Sequence, residues 1–195
     1  MPLGANKAAI MGVAGVSTGD VVLLSTQTAD GDASITFSSD ITSTYGEYIF
    51  KWYNFNPGTD NSHFTFQANA VDASGYNETI TSTWFQAVHD EANTHTSLSY
   101  TAASDQAQGT AYQKLLHGTG NGADESSAGE LHLFNPSSTT YVKHFIARCQ
   151  NLDGNNNCVD HFLAGYFNIT EAIDDIQFKV STGVFDGKIK MWGVK

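Results

Sequence analysis

The sequence predicts an all-β protein: an antiparallel β-sandwich, jelly-roll-like, with an extended N-terminal arm. Three observations lead there. Apolar and polar residues alternate through one short stretch after another, which is the period of a strand with one buried face. Glycine is plentiful at 18 residues and proline scarce at 3, with Ser, Thr and Asn filling the gaps between short apolar runs. That composition favours many strands joined by turns over long helices. About ten strands result, at a spacing that fits a sandwich such as a jelly roll. The 195 residues suit one domain, which at this size buries roughly 70% of the surface its unfolded chain exposes.

Residues 1–19 read as a docking arm and residues 20–195 as the sandwich. The arm's apolar part, residues 8–16, superficially imitates a secretion signal, but Gly12 and Gly15 break it and it is far too short to span a bilayer. An apolar arm left free has little reason to persist in water, so it is expected to pack on a neighbouring subunit.

Residues 20–28 form the first strand, Ala29-Asp30-Gly31-Asp32 a turn, and residues 34–37 the second strand. No further acidic ligands follow the Asp-Gly-Asp at loop-like spacing, so it reads as turn chemistry and not as a calcium loop. Residues 45–58 are the most aromatic segment. Tyr48, Phe50 and Trp52 share one face, and Ile49, Tyr53 and Phe55 share the other with Lys51. Both faces are largely apolar, which places this strand mid-sheet with an arm or another subunit on its outside and makes Tyr48, Phe50 and Trp52 candidate subunit contacts.

In residues 63–70, Phe64, Phe66, Ala68 and Ala70 face inward against a wet face of His63, Thr65, Gln67 and Asn69. Residues 76–88 resume β character, with Ile80, Trp84 and Val88 in one parity and Phe85 opposite. From 89 to 129 the pattern loosens, and residues 111–116 are a strand or a short helical turn. Long connections of this kind carry contacts in β domains. Residues 128–137, 140–149 and 158–167 are strands again. Residues 172–195 read as a closing hairpin, with Ile176, Phe178, Val180, Ile189 and Met191 as core. Trp192 stands on the opposite side with Lys188 and Lys190, and is a further candidate subunit contact.

The formal charge of −11 opposes binding to nucleic acid or to an anionic membrane surface, where affinity is built by cations. Cys149 and Cys158 flank what looks like a hairpin tip; they are either a cross-strand disulfide or two reduced thiols. Seven histidines and many serines and aspartates supply apparent triads by chance. No His-Glu-x-x-His or phosphate-loop motif is present. The chain is therefore expected not to be an enzyme, and no catalytic residue, cofactor or metal is assigned. His63, His132 and His144 sit on strands and would form a metal site only if the fold brought them together. A sugar site would need an exposed ring beside amides. Tyr76, Trp84, Asn155 and Asn156 are the candidates.

Several blocks resemble a β-sandwich family of tailed bacteriophages, especially marine ones. They are residues 44–50 followed by Asn56-Pro57, then Gly129-Glu-Leu-His-Leu-Phe-Asn-Pro136, then residues 176–183, and finally Gly187-Lys-Ile-Lys-Met-Trp-Gly193. Met191-Trp192-Gly193 replaces the family's Leu-Tyr-Gly. The resemblance covers residues 44–195 in patches and implies a virion surface structural protein without catalytic residues. It would be commonly trimeric: a tail or fibre head contributing to host attachment, or a capsid decoration. Partners would be two further copies, other virion proteins through residues 1–19, and a host-surface glycan. The alternative from another class is a secreted carbohydrate-binding module.

Overall fold

The computed structural model describes residues 20–195, so the arm expected at 1–19 lies outside the described residues. Thirteen strands follow: β1 (Val21–Asp32), β2 (Ser34–Phe37), β3 (Glu47–Pro57), β4 (Phe64–Ala70), β5 (Ile80–Asp90), β6 (Thr96–Tyr100), β7 (Ala107–Gly109), β8 (Gln113–Lys114), β9 (Ser127–Phe134), β10 (Lys143–Leu152), β11 (Asn157–Phe167), β12 (Ile173–Val180) and β13 (Phe185–Val194). The larger sheet has nine strands, in the order β1-β13-β3-β9-β10-β11-β5-β6 with β7 also paired to β5. The smaller has four, β2-β12-β4-β8. All pairings between named strands are antiparallel. The chain weaves between the sheets over its first five strands and again from β11 to β13, while β9-β10-β11 is a meander.

The core lies between the two inner faces. Phe178 of β12 is fully buried, with its ring 5.3 Å from Phe50 and 5.7 Å from Phe64, and Phe37 and Phe66 complete the surround. The core assignments at Ile176, Val180, Ile189 and Met191 hold as well, none being more than 5% exposed. The closing hairpin is corrected. β12 pairs with β2 and β4, β13 pairs with β1 and β3, and the two strands face each other across the core without pairing. Alternation fixes which residues point inward, but it is blind to which strand accepts the hydrogen bonds.

Three other expectations are overturned by packing. Tyr48, Phe50 and Trp52 are at most 2% exposed and belong to the intramolecular core, not to a subunit contact. Phe55 was expected outside; a bulge at Asn54, with φ 54°, shifts the register and turns Phe55 inward beside Phe64 and Phe185. The wet face of β4 is covered. Gln67 is fully buried, and its amide donates to the carbonyls of Glu78, Thr110 and Ala111, so the 105–115 segment lies over this side of the small sheet. The polar alternation at β4 therefore marks buried hydrogen bonding, which periodicity alone reads as solvent.

Candidate functional site

The outer face of the large sheet carries several exposed large apolar side chains. Register places Leu23, Trp192, Ile49, His132, Ile146, Ala164 and Thr83 in one line across seven strands. The next line reads Lys190, Lys51, Glu130, Arg148, Phe162, Phe85 and Tyr100. Side chains in such lines are neighbours on one face. Leu23, Ile146 and Phe85 are between 43% and 50% exposed, well above what core-facing parity leaves.

The middle of this face is concave. A depression of about 300 Å³ lies between Phe85, Phe162, Ile146, Ala164, His132 and Arg148. A second of the same size shares Thr83, Ile146 and Ala164 and is bounded by His144 and Tyr166. The hollow forms because Ala164 is small where its neighbours are large. One wall is a parallel stack of Phe85 on Phe162, with centroids 4.7 Å apart and planes at 4°. The Arg148 guanidinium lies 5.0 Å over Phe162 and donates to Asp160 at 2.8 Å, and that carboxylate raises its pKa. Lys51 pairs with Glu130 at 3.0 Å, and Lys51 holds the Glu130 carboxyl below its usual range. His132 sits between the carboxylates of Glu47 and Glu130. An apolar floor with charged flanks can hold an apolar surface or segment in a fixed orientation.

The four ligand candidates do not converge. Trp84 is fully buried on the inner face of β5, its ring 5.0 Å from His161, so it offers no face to a sugar. Tyr76 is half-buried before β5, packed 6.5 Å from Tyr112, and burial raises its pKa. Asn155 and Asn156 are exposed at the β10–β11 tip, where they border a polar niche with Asp90, Glu91 and Ala92. Tyr76 precedes the end of β5 that pairs at Phe167, whereas the asparagines lie by the end that pairs at Asn157. At about 3.3 Å per residue those ends are roughly 33 Å apart. Trp192 does stand on the outer face, half-buried in line with Leu23 and Ile49.

The histidines separate too. His132 and His144 lie on the outer face of the large sheet, whereas His63 stacks on His117 at 4.5 Å and accepts a hydrogen bond from the Gly118 amide. Burial first, then His117 and Lys114, lowers the His63 pKa to about 4. Among the described residues no group of three or more His, Cys, Asp or Glu is placed to hold a metal ion. Both cysteines are free. Cys149 pairs in register with His161 and is buried, while Cys158 pairs with Leu152 and is exposed, so the disulfide alternative does not form. Residues 15–19 spell Gly-Val-Ser-Thr-Gly, but a hydrolase nucleophile elbow needs a helix after the serine, and strand β1 follows instead.

Sequence reasoning missed Phe85, Phe162, Ile146 and Arg148 as a site. Their signal was present as large apolar residues at the outward parity of β5, β10 and β11, next to Ala164. Comparison with protein-family profiles gives no match, and comparison with curated proteins gives none either.

Proposed function

We propose that this chain is a non-catalytic structural protein of a tailed-phage virion, displayed on the particle surface as the β-sandwich head of a tail or fibre appendage. The observation that carries this reading is where the resembling blocks lie. Three of them form the adjacent strands β13, β3 and β9, next to the β1 edge of the large sheet. They also interlock at one end: the Asn135 amide donates to the Gly46 carbonyl at 2.6 Å, and the Gly46 amide donates to the Val194 carbonyl at 3.1 Å. Gly193 lies so close to the Tyr45 ring that a Cβ there would meet it at 2.5 Å. Scattered in sequence, the blocks are one packed unit in space, which supports a shared fold over a chance match of short words.

In this reading the head is a homotrimer, mounted on other virion proteins through residues 1–19. Both free edges of the large sheet offer apolar contacts: Val21 and Leu23 at β1, and Leu98 and Tyr100 at β6, each between 50% and 75% exposed. One edge meeting the other on the next copy is a head-to-tail contact, which closes as a trimeric ring when successive copies are rotated by a third of a turn. Trp192 lies next to the β1 edge and joins it. Three weak sites on one rigid head then bind a host-surface glycan by avidity. Capsid decoration is the second location compatible with the same construction. Trp84 is core, so it supplies a stacking ring to a sugar neither in this reading nor in the secreted carbohydrate-binding one.

Native mass spectrometry of the full chain tests the assembly. A trimer that falls apart on Leu98→Lys, with the fold retained, is the expected result. A monomer at micromolar concentration overturns it.

A further inference from the structure

The apolar hollow on the outer face of the large sheet needs an occupant, and the sequence contains one of the right length in the right place. We propose that the chain's own N-terminal arm crosses this face, with residues 8–16 lying over the hollow between Phe85, Phe162, Ile146 and Ala164.

Reach is the first argument. The arm joins the sandwich at Asp20, at the head of β1, which is the edge strand of the same sheet. With strands about 4.8 Å apart, β3 lies about 10 Å from β1, β10 about 19 Å and β5 about 29 Å. An extended chain covers about 3.3 Å per residue, so Val16 falls about 13 Å from Asp20 and Met11 about 30 Å. The apolar run can therefore reach the interval between Ile49 of β3 and Phe85 of β5, where Ile146, Ala164 and Phe162 face outward among His132 and Arg148.

Composition is the second. Ala8, Ala9, Gly12, Ala14 and Gly15 allow the backbone to approach the sheet closely, while Ile10, Met11, Val13 and Val16 supply side chains large enough to enter the hollow. A segment laid flat across the strands keeps one side of its backbone in water, so its peptide groups stay hydrogen-bonded.

Charge is the third, and it selects among occupants. All 20 Asp and Glu lie beyond residue 19, whereas the arm has no acidic residue and carries Lys7. A second copy packed face to face would bring together two heads that each carry the chain's net negative charge of −11. The arm brings no such repulsion. Its tether also gives it an effective concentration of about millimolar, which a separate partner of equal contact area lacks. The inference does not depend on the virion reading, and a monomer can satisfy it; where both hold, residues 1–7 are the part of the arm left for the mount.

The test is a disulfide trap in the full chain, with Cys158→Ser removing the exposed native thiol. Val13→Cys is combined with Ile146→Cys in the hollow, or with Ser34→Cys on the outside of the small sheet as a control; both head positions are exposed, so the fold is retained. Mild oxidation should join 13 to 146 within one chain, seen by intact mass and peptide mapping, and leave the control pair open. No 13–146 bond, equal bonding of both pairs, or a bond only between chains each overturns the proposal; the last hands the face to a neighbouring copy's arm. An independent readout uses Ala164→Arg, which fills the hollow. It should speed trypsin cleavage after Lys7 about tenfold, since cleavage follows the population of the open form. An unchanged rate overturns the proposal.

Discussion

Replacing His161 with Gln should flatten the acid sensitivity of the fold. His161 points inward from β11 and is fully buried, with its ring against Trp84 and its Nε2 2.8 Å from Asn151 Oδ1. Burial, with the charge of His117 second, lowers its pKa from 6.5 to about 3. The unfolded histidine takes a proton as the pH falls below 6.5, whereas the folded one stays neutral until about 3. The unfolded state thus binds more protons throughout that window. The contribution to stability is complete above pH 6.5 and is progressively lost as the pH drops towards 3. At about 1.4 kcal/mol per pH unit for one proton, His161 alone removes about 2 kcal/mol between pH 6.5 and 5. His63 acts with the same sign down to about 4, and His117 is shifted in the same direction. Asp90, held near 2 chiefly by the Thr94 hydroxyl and the His95 amide, costs stability only below its ordinary 3.8 and stays outside the window. Urea unfolding at steps from pH 7.5 to 5 measures the slope. H161Q should lose about one proton's worth of slope and keep the remainder from His63 and His117. An unchanged slope would refute a neutral, buried His161.

Phe178→Ala should cost about 3–5 kcal/mol in urea unfolding, because the ring is surrounded by four others in the core. Phe85→Ala, on the outer face, should cost about 1 kcal/mol or less, and equal costs would mean that the inner and outer faces have been misassigned. Gly129→Ala should destabilise by about 1–3 kcal/mol, since a Cβ there would meet the Trp52 ring at 2.5 Å and the backbone at Cys149 at 2.9 Å. A neutral result would show that β9 and β10 can yield to the added methyl. One thiol, Cys158, should react with a thiol reagent in the folded protein and two after denaturation, because burial pushes the Cys149 pKa well up. Two reactive thiols in the folded state would contradict the buried position of Cys149.

Much of the fold was legible because most strands carry a clean period of two. β2 appears at its predicted bounds, and Ile176, Phe178, Val180, Ile189 and Met191 were identified as inward residues of β12 and β13, whereas buried Ile173 and Phe185 at the strand starts were not. What failed needed tertiary information. The pairing of β12 and β13 with different sheets leaves no trace in alternation, since both readings bury the same residues. The bulge at Asn54 inserts one residue and inverts the face of Phe55. Gln67 and Gln113 look like solvent residues but are buried hydrogen-bond hubs of the 105–115 segment. The site was less legible still. Exposed rings were sought among tryptophans, yet Trp52 and Trp84 are core, and the exposed stack is built from two phenylalanines 77 positions apart, Phe85 and Phe162, that only strand register brings together.

The proposed virion-surface role is tested most directly by a reconstruction of particles assembled from the genome that encodes this chain. Three copies of the sandwich are expected around an axis on the particle exterior, joined edge to edge, with residues 1–7 on the side towards the particle. Particles that lack the chain, or that hold it inside the head, would contradict that role.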